Sequence, residues 1–153
     1  MKITIEDVKK LRIKTGAGIA DCRKALEESG GDFKKAEALL KSRGAEIASK
    51  KKDRATSQGL VETYIHSGGK VGAMVEVNCE TDFVAKTDEF KNLTHEVAMQ
   101  VAAMDPKNVE EFSKQEYIRD SSKTIDDLIK DVIAKVGENI VIKRFIRFEL
   151  GGQ

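Results

Sequence analysis

The chain has 153 residues, enough for one ordinary domain or two small ones, and it is 40% hydrophobic and 35% charged. No stretch approaches the roughly 20 apolar residues that cross a bilayer, and the N-terminus "MKITIEDVKK" lacks an apolar signal-peptide core. Cys22 and Cys79 lie far apart without metal-ligand spacing. We therefore expect a cytoplasmic protein with reduced thiols and no metal site.

The charge is divided unevenly along the chain. Residues 1–54 carry 15 Lys and Arg against 9 Asp and Glu, whereas residues 55–153 carry 12 against 17. This split predicts two domains, a basic unit over 1–54 and a second unit over 55–153, joined at the run "KSRGAEIASKKKDRATSQG".

The first unit is expected to form three short helices. Thr4 and Asp7 resemble a capping box, residues 16–18 read "GAG" and break the pattern, and Asp32 can cap the third helix. Gly44 is predicted to end that helix, with one or two more helical turns after it. The residues expected to face inward are Val8, Leu11, Ile19, Cys22, Leu26, Phe33, Ala36, Leu39 and Leu40.

The second unit changes to strand periodicity. Residues 60–66 and 71–79 alternate and flank "SGGK", which predicts a hairpin, and "NIVIKRFIRFEL" supplies a last strand. Helices are predicted from about 88 to 104 and over 125–136, with one helical turn near 109–112. The order ββααβ predicts an α+β fold: a small three-stranded antiparallel sheet with helices packed on one face.

The other face of this sheet is expected to be partly apolar. One face of the last strand would carry Ile140, Ile142, Ile146, Phe148 and Leu150, and the opposite face Val141 and Phe145. Leu60, Tyr64 and Met74 also fall opposite the best apolar faces of their strands. Two interpretations stay open: the uncovered face binds a partner or a second copy, or the first unit and linker fold across it.

The segment "VEVNCETDFVAKTDEF" places Phe83 at a polar corner between a strand and a helix. Thr87 is a natural N-cap for that helix. Residue statistics favour Phe83 as a core residue in phase with Phe90. The alternative is a wedge, an apolar side chain on a loop that is presented to a partner.

The same segment carries a family resemblance. "VEVNCE" followed by "TDFVAKTDEF" resembles the signature of bacterial elongation factor Ts, the guanine-nucleotide exchange factor for elongation factor Tu in translation elongation. "LRIKTGAGIADCRKALEESGGDFKKAEALLKSRGA" is similar to that family's N-terminal domain, a ubiquitin-associated-like (UBA-like) three-helix bundle. "KVGENIVIKRFIRFELG" resembles its C-terminal segment, and the layout resembles short members with a single core subdomain.

The resemblance implies a partner-binding role for the segment Thr81–Val84. Phe83 would be the wedge that shifts elements around the magnesium ion of the GTPase, and Asp82 would disturb the magnesium neighbourhood. Thr81 and Val84 would orient that pair. An exchange factor makes and breaks no covalent bond in its substrate, so no enzyme activity is implied. The sequence has no phosphate loop of the G-x-x-x-x-G-K-[ST] type and no metal cluster, so we expect no cofactor and no direct nucleotide binding.

Two further contacts follow from the family pattern. The N-terminal unit would bind the same GTPase through Ile19, Ala20 and Arg23, although Ile19 also fits a core position. His66, in a "Y-x-H" pattern, would be a further contact; the alternative is an ordinary exposed turn residue.

Short members of the family, which this layout resembles, pair as homodimers in which each sheet covers the other. Some of them lock this dimer with a cysteine in the last strand, where the comparable position here is Ile146. The resemblance therefore implies a non-covalent homodimer through the sheet.

Other functions need consideration. Cys79 with His66 or His95 would suggest a thiol enzyme, but its alternation with valines favours a core cysteine. The run "SKKKDR" would suggest an RNA-associated protein, although the chain is nearly neutral and poor in aromatics. A UBA-like binding module without exchange activity would leave the second unit unexplained. We expect elongation factor Tu as partner, and neither nucleic acid nor membrane.

Overall fold

The structure is a computed structural model and describes residues 2–152. Within these residues, seven helices and five strands form an α+β arrangement. The elements are α1 (Ile5–Thr15), α2 (Ile19–Glu28), α3 (Phe33–Lys51), β1 (Gln58–Ile65), β2 (Val71–Cys79), α4 (Asp82–Ala85), α5 (Asp88–Met104), α6 (Val109–Lys114), β3 (Glu116–Tyr117), β4 (Asp120–Thr124), α7 (Ile125–Val136) and β5 (Ile140–Glu149).

Helices α1, α2 and α3 pack around a small core of their own. Thr4 forms the predicted capping box with Asp7, Gly16 ends α1 in the left-handed conformation, and Asp32 caps α3. The buried members of this core are Val8, Leu11, Cys22, Ala25, Leu26 and Ala36. The predicted three-helix unit is therefore present, and its UBA-like character stays a prediction.

Gly44 does not end the third helix, so that prediction is wrong. Helix α3 continues through Gly44 to Lys51, and a Cβ at Gly44 would lie 3.5 Å from the Cβ of Ala134 on α7. The close packing of α3 on α7 compensates for the weak helix propensity of glycine. Ala48 in the continued helix belongs to the core of the second unit, so α3 joins the two units.

The second unit contains the predicted three-stranded antiparallel sheet, in the order β1-β2-β5. Residues Ala73, Val75, Val77 and Cys79 of β2 are buried under the helices, mainly α5, which begins after Thr87 as predicted. Helix α6 confirms the expected helical turn. The short helix α4 and the two-stranded ribbon β3-β4 were not predicted.

A β-bulge changes the predicted faces of β5. The register between β2 and β5 shifts between Glu76 and Val77, so the inward parity of β5 changes after Ile142. Ile140 and Ile142 are buried, but Phe145 then packs on the core while Ile146 is exposed. Grouping Ile146 and Phe148 with Ile140, and placing Phe145 opposite them, was therefore wrong, because one extra residue in a strand reverses every later side chain.

The predicted faces of strand β1 are also wrong. Leu60 and Tyr64 pack against the core, whereas the sequence placed them on the outer face. Val61 and Ile65 are the exposed large apolar residues of this strand, and Met74 on β2 is exposed as predicted. Burial follows the alternation of the strand, and the inward residues of β1 are those that pack beneath α5.

The sheet has an exposed apolar outer face. We call the five residues that form it the outer patch. They are Val61, Ile65, Met74, Ile146 and Phe148, with exposed fractions of 64%, 65%, 45%, 46% and 70%. The N-terminal unit packs on α7 through α3, so the interpretation in which it covers this face is wrong for the described residues.

Within residues 2–152, no helix combines the length and the apolar character that crossing a bilayer requires.

Candidate functional site

The corner after β2 is a one-turn helix, α4, with Phe83 on its outer side. Thr81 is the N-cap and its Oγ1 accepts from the backbone N–H of Val84 at 3.3 Å. Val84 and Ala85 are buried and anchor the turn, whereas Phe83 is 78% exposed. The interpretation of Phe83 as a core residue is therefore wrong, because the two residues after it take the inward positions.

A distant glutamate supports this turn. The backbone N–H of Thr81 donates to Glu138 Oε1 at 2.9 Å, and Thr81 Oγ1 donates to Glu138 Oε2 at 2.7 Å. Glu138 follows Gly137, which ends α7 in the left-handed conformation. The sequence alone assigns no role to Glu138, since local patterns do not pair residues 57 positions apart.

Asp82 is also exposed at this turn. Its carboxylate lies 3.2 Å from Lys86 Nζ, and both side chains are more than two-thirds exposed. Such an exposed pair contributes little to stability, so the carboxylate can exchange Lys86 for another cation at small cost. We call the residues Thr81, Asp82, Phe83 and Val84 the Phe83 turn; the first three are exposed, and Val84 is the buried anchor.

Cys79 lies beneath the Phe83 turn. Its thiol is buried and donates to the carbonyl oxygen of Thr81 at 3.1 Å. Burial raises the pKa of the Cys79 thiol, and the nearby Glu138 carboxylate raises this pKa further. A protonated, enclosed thiol is a poor nucleophile, so the structure agrees with the interpretation of Cys79 as a core cysteine.

His66 lies at the other end of the sheet. Its Nδ1 is 3.0 Å from Tyr64 Oη, and its backbone N–H donates to Val71 at the start of β2. The Phe83 turn follows Cys79 at the end of β2, eight residues further on. At about 3.3 Å per residue, the two features lie roughly 25 Å apart. A single chain therefore does not bring His66 to the Phe83 turn.

The residues expected to bind through the N-terminal unit lie at the start of α2. Ile19, Ala20 and Arg23 are all exposed, and Ile19 is 60% exposed, so its interpretation as a core residue is wrong. Arg23 Nε is 2.9 Å from Glu27 Oε1 in the next turn. These three residues share one helix but belong to a different unit from the Phe83 turn.

The arrangement defines a class of protein. It presents exposed apolar residues on two structured units, and among residues 2–152 no group of three metal-ligating side chains could hold an ion. Exposed apolar residues on a well-ordered scaffold are typical of protein–protein contact sites. The fold and site therefore describe a protein with two hydrophobic cores and at least two candidate contact surfaces.

Comparison with known proteins gives the family. The family model for elongation factor TS matches residues 80–153. Elongation factor Ts of Thermoanaerobacter sp. (strain X514) is 45% identical over 194 residues, covering 97% of this chain and 95% of the relative. Elongation factor Ts of Coprothermobacter proteolyticus is 46% identical over 196 residues, covering 99% and 100%. The chain belongs to the elongation factor Ts family.

The relatives are longer than this chain. An alignment over 194 residues is longer than the 153 residues of this chain. The relatives therefore contain residues that have no counterpart here, although nearly all of this chain is matched. This chain is therefore shorter than both of these relatives.

Proposed function

We propose that this chain is a guanine-nucleotide exchange factor for elongation factor Tu and acts in translation elongation in the cytoplasm. The observation that carries this proposal is the 78% exposed Phe83 on a turn that its neighbours anchor, within the segment that matches the elongation factor Ts family. An exchange factor makes and breaks no covalent bond in its partner, so the chain needs neither a cofactor nor a catalytic residue. It contacts the protein and does not bind nucleotide, nucleic acid or membrane itself.

The physical basis is linkage between two ligands of one GTPase. A factor that binds the nucleotide-free GTPase more tightly than the GDP-bound form must weaken GDP binding by the same ratio. The affinity for GDP depends strongly on magnesium and on backbone N–H groups around the phosphates. A contact that displaces either of these accelerates the release of GDP.

The Phe83 turn is the element that we assign to this displacement. Phe83 inserts as the wedge, and Asp82 brings a negative charge toward the magnesium neighbourhood of the GTPase. Thr81 and Val84 orient this pair, which is supported by the N-cap hydrogen bond of Thr81 and by the burial of Val84.

A second contact lies on the N-terminal unit. Ile19 and Ala20 offer exposed apolar surface, and Arg23 offers a cation next to it. The surplus of Lys and Arg in residues 1–54 would steer this unit toward an acidic surface of the GTPase. This contact adds affinity, whereas the Phe83 turn acts on the nucleotide.

A non-covalent homodimer through the outer patch completes the proposal. Pairing two copies would cover five apolar side chains per chain, and Ile146 would lie within the interface. In such a dimer, His66 of one copy and the Phe83 turn of the other can contact the same GTPase. Ile146→Lys should turn the dimer into a monomer in analytical ultracentrifugation, and a monomeric wild-type chain at micromolar concentration would contradict this part.

The exchange function itself is tested by the affinity of the chain for two forms of elongation factor Tu. Biolayer interferometry with immobilised chain should give binding to nucleotide-free elongation factor Tu at least about 10-fold tighter than binding to its GDP-bound form. The affinity of the GTPase for GDP should fall by the same ratio when the chain is saturating. Equal affinity for the two forms would overturn the proposed function.

A further inference from the structure

Two carboxylates connect the Phe83 turn to the start of β5. Each belongs to one of these two segments and accepts hydrogen bonds from the other segment. Glu138 accepts from the backbone N–H and the hydroxyl of Thr81, at 2.9 and 2.7 Å. In return, Glu80 Oε1 accepts from the backbone N–H of Asn139 at 2.7 Å. We call these reciprocal hydrogen bonds between Glu80–Thr81 and Glu138–Asn139 the carboxylate clasp.

The clasp also holds the end of the linker from the N-terminal unit. Asn139 is 5% exposed, and its Nδ2 donates to the carbonyl oxygen of Arg54 at 2.9 Å and to that of Lys52 at 3.3 Å. The Arg54 guanidinium lies 3.6 Å from Glu80 Oε2. Three chain segments therefore meet directly behind the Phe83 turn.

The Phe83 turn needs such support because it is short. Helix α4 has four residues, and an isolated turn of this length is unstable in water. The exposed Phe83 ring cannot fix its own position by packing. Thr81 Oγ1 accepts from Val84 N–H while it donates to Glu138, so Glu138 fixes the hydroxyl that caps the turn. Hydrogen bonds to a charged carboxylate are stronger than those between neutral groups.

We propose that Glu138 is a positioning residue for nucleotide exchange, and that Glu80 and Asn139 support it. This inference rests on the proposed function. Glu138 acts through Thr81: it holds the backbone of the Phe83 turn in the conformation in which the ring enters the GTPase. A turn that is ordered before binding loses less conformational freedom when it inserts. Loss of Glu138 should therefore lower the rate at which the factor-bound GTPase releases GDP. The binding of the factor to the GTPase should weaken less.

The test uses the full chain with Glu138→Ala and the milder Glu138→Gln, which keeps one acceptor oxygen. The matched control is Glu111→Ala, which removes an exposed glutamate on α6 outside the clasp. Hydrogen exchange of the Thr81 and Val84 amides is measured without any partner. Release of fluorescent GDP from elongation factor Tu is then measured over a range of factor concentrations, which separates the maximal rate from the half-saturating concentration.

In Glu138→Ala, the Thr81 and Val84 amides should exchange at least about 10-fold faster, since the local opening becomes easier. The maximal rate of GDP release should fall roughly 10-fold, with a smaller change in the half-saturating concentration. Glu138→Gln should lie between Glu138→Ala and wild type, and Glu111→Ala should behave as wild type.

Different results overturn different parts. If Glu138→Gln and Glu138→Ala leave the maximal rate within about 2-fold of wild type, Glu138 has no positioning role, even if the unfolding temperature falls. The same conclusion follows if the two amides keep their wild-type exchange rates. If wild-type chain fails to accelerate GDP release at any concentration, the proposed function is overturned and the role of Glu138 in exchange with it.

Discussion

Two helix starts carry the exposed residues assigned to partner contact, and they are built differently. Helix α4 begins after Thr81, whose side chain caps the turn and is itself held by Glu138. Helix α2 begins after Gly18, which has no side chain to cap it. Phe83 is thus held on a supported turn, whereas Ile19 lies at an uncapped helix end.

This difference indicates a division of roles. A rigid apolar side chain can deliver its binding energy into displacing elements of the partner, because little is lost in ordering it. An uncapped helix end can adapt to a partner surface and add affinity without strain. We therefore expect changes at the Phe83 turn to affect the rate of nucleotide release, and changes at α2 to affect binding.

The difference between the two helix starts depends on how firmly the Phe83 turn is anchored, and Val84 provides this anchor. Val84→Ala should lower the free energy of unfolding by about 1–3 kcal/mol, because it removes buried methyl groups. Phe83→Ala should change it by less than about 0.5 kcal/mol, since the ring is exposed. Urea unfolding measures both free energies. Equal losses in the two variants would contradict the burial of Val84 and the exposure of Phe83.

The role of α2 is tested by Ile19→Ala. The half-saturating concentration for GDP release should rise about 5- to 10-fold, which corresponds to roughly 1–1.4 kcal/mol of binding energy. The maximal rate should stay within about 2-fold of wild type. Ile13→Ala removes another exposed isoleucine, on α1, and serves as the control. A fall in the maximal rate would remove the distinction between the two helix starts.

The smallest expected effect concerns the missing cap of α2. Gly18 has φ −60° and ψ 152°, which any residue can adopt, so serine can replace it and supply a capping oxygen. Gly18→Ser should stabilise the N-terminal unit by a few tenths of a kcal/mol, detectable as slower amide hydrogen exchange in α2. Faster exchange would mean that the new Cβ, 3.1 Å from Asp21 Oδ2, disturbs the helix start.

The sequence predicted the features that depend on local chemistry. The caps at Thr4, Asp32 and Thr87 lie where short side-chain oxygens precede helical periodicity, and the structure confirms each of them. The three-stranded antiparallel sheet followed from alternation and from the "SGGK" turn, and it is also confirmed. These signals act over four to nine residues, which is the range in which a single sequence is informative.

The errors have tertiary causes. The bulge near Glu76 depends on how β2 and β5 pair, so the faces of β5 after Ile142 could not be read from its own alternation. Gly44 stays helical because α7 packs against it.

The candidate site was only partly predictable for the same reason. Its residues followed from the family resemblance, but the exposure of Phe83 depends on Val84 and Ala85 taking the buried positions. Its support by Glu138 joins residues that only the fold brings together.

The central claim is that the exposed ring of Phe83 drives nucleotide release. The most direct measurement is stopped-flow release of fluorescent GDP from elongation factor Tu with wild type, Phe83→Ala and Ile118→Ala, the last removing an exposed apolar residue between β3 and β4. Wild type and Ile118→Ala should accelerate release equally, and Phe83→Ala should lose at least about 10-fold of the maximal rate, equivalent to roughly 1.4 kcal/mol. Equal acceleration by Phe83→Ala and wild type would contradict the account.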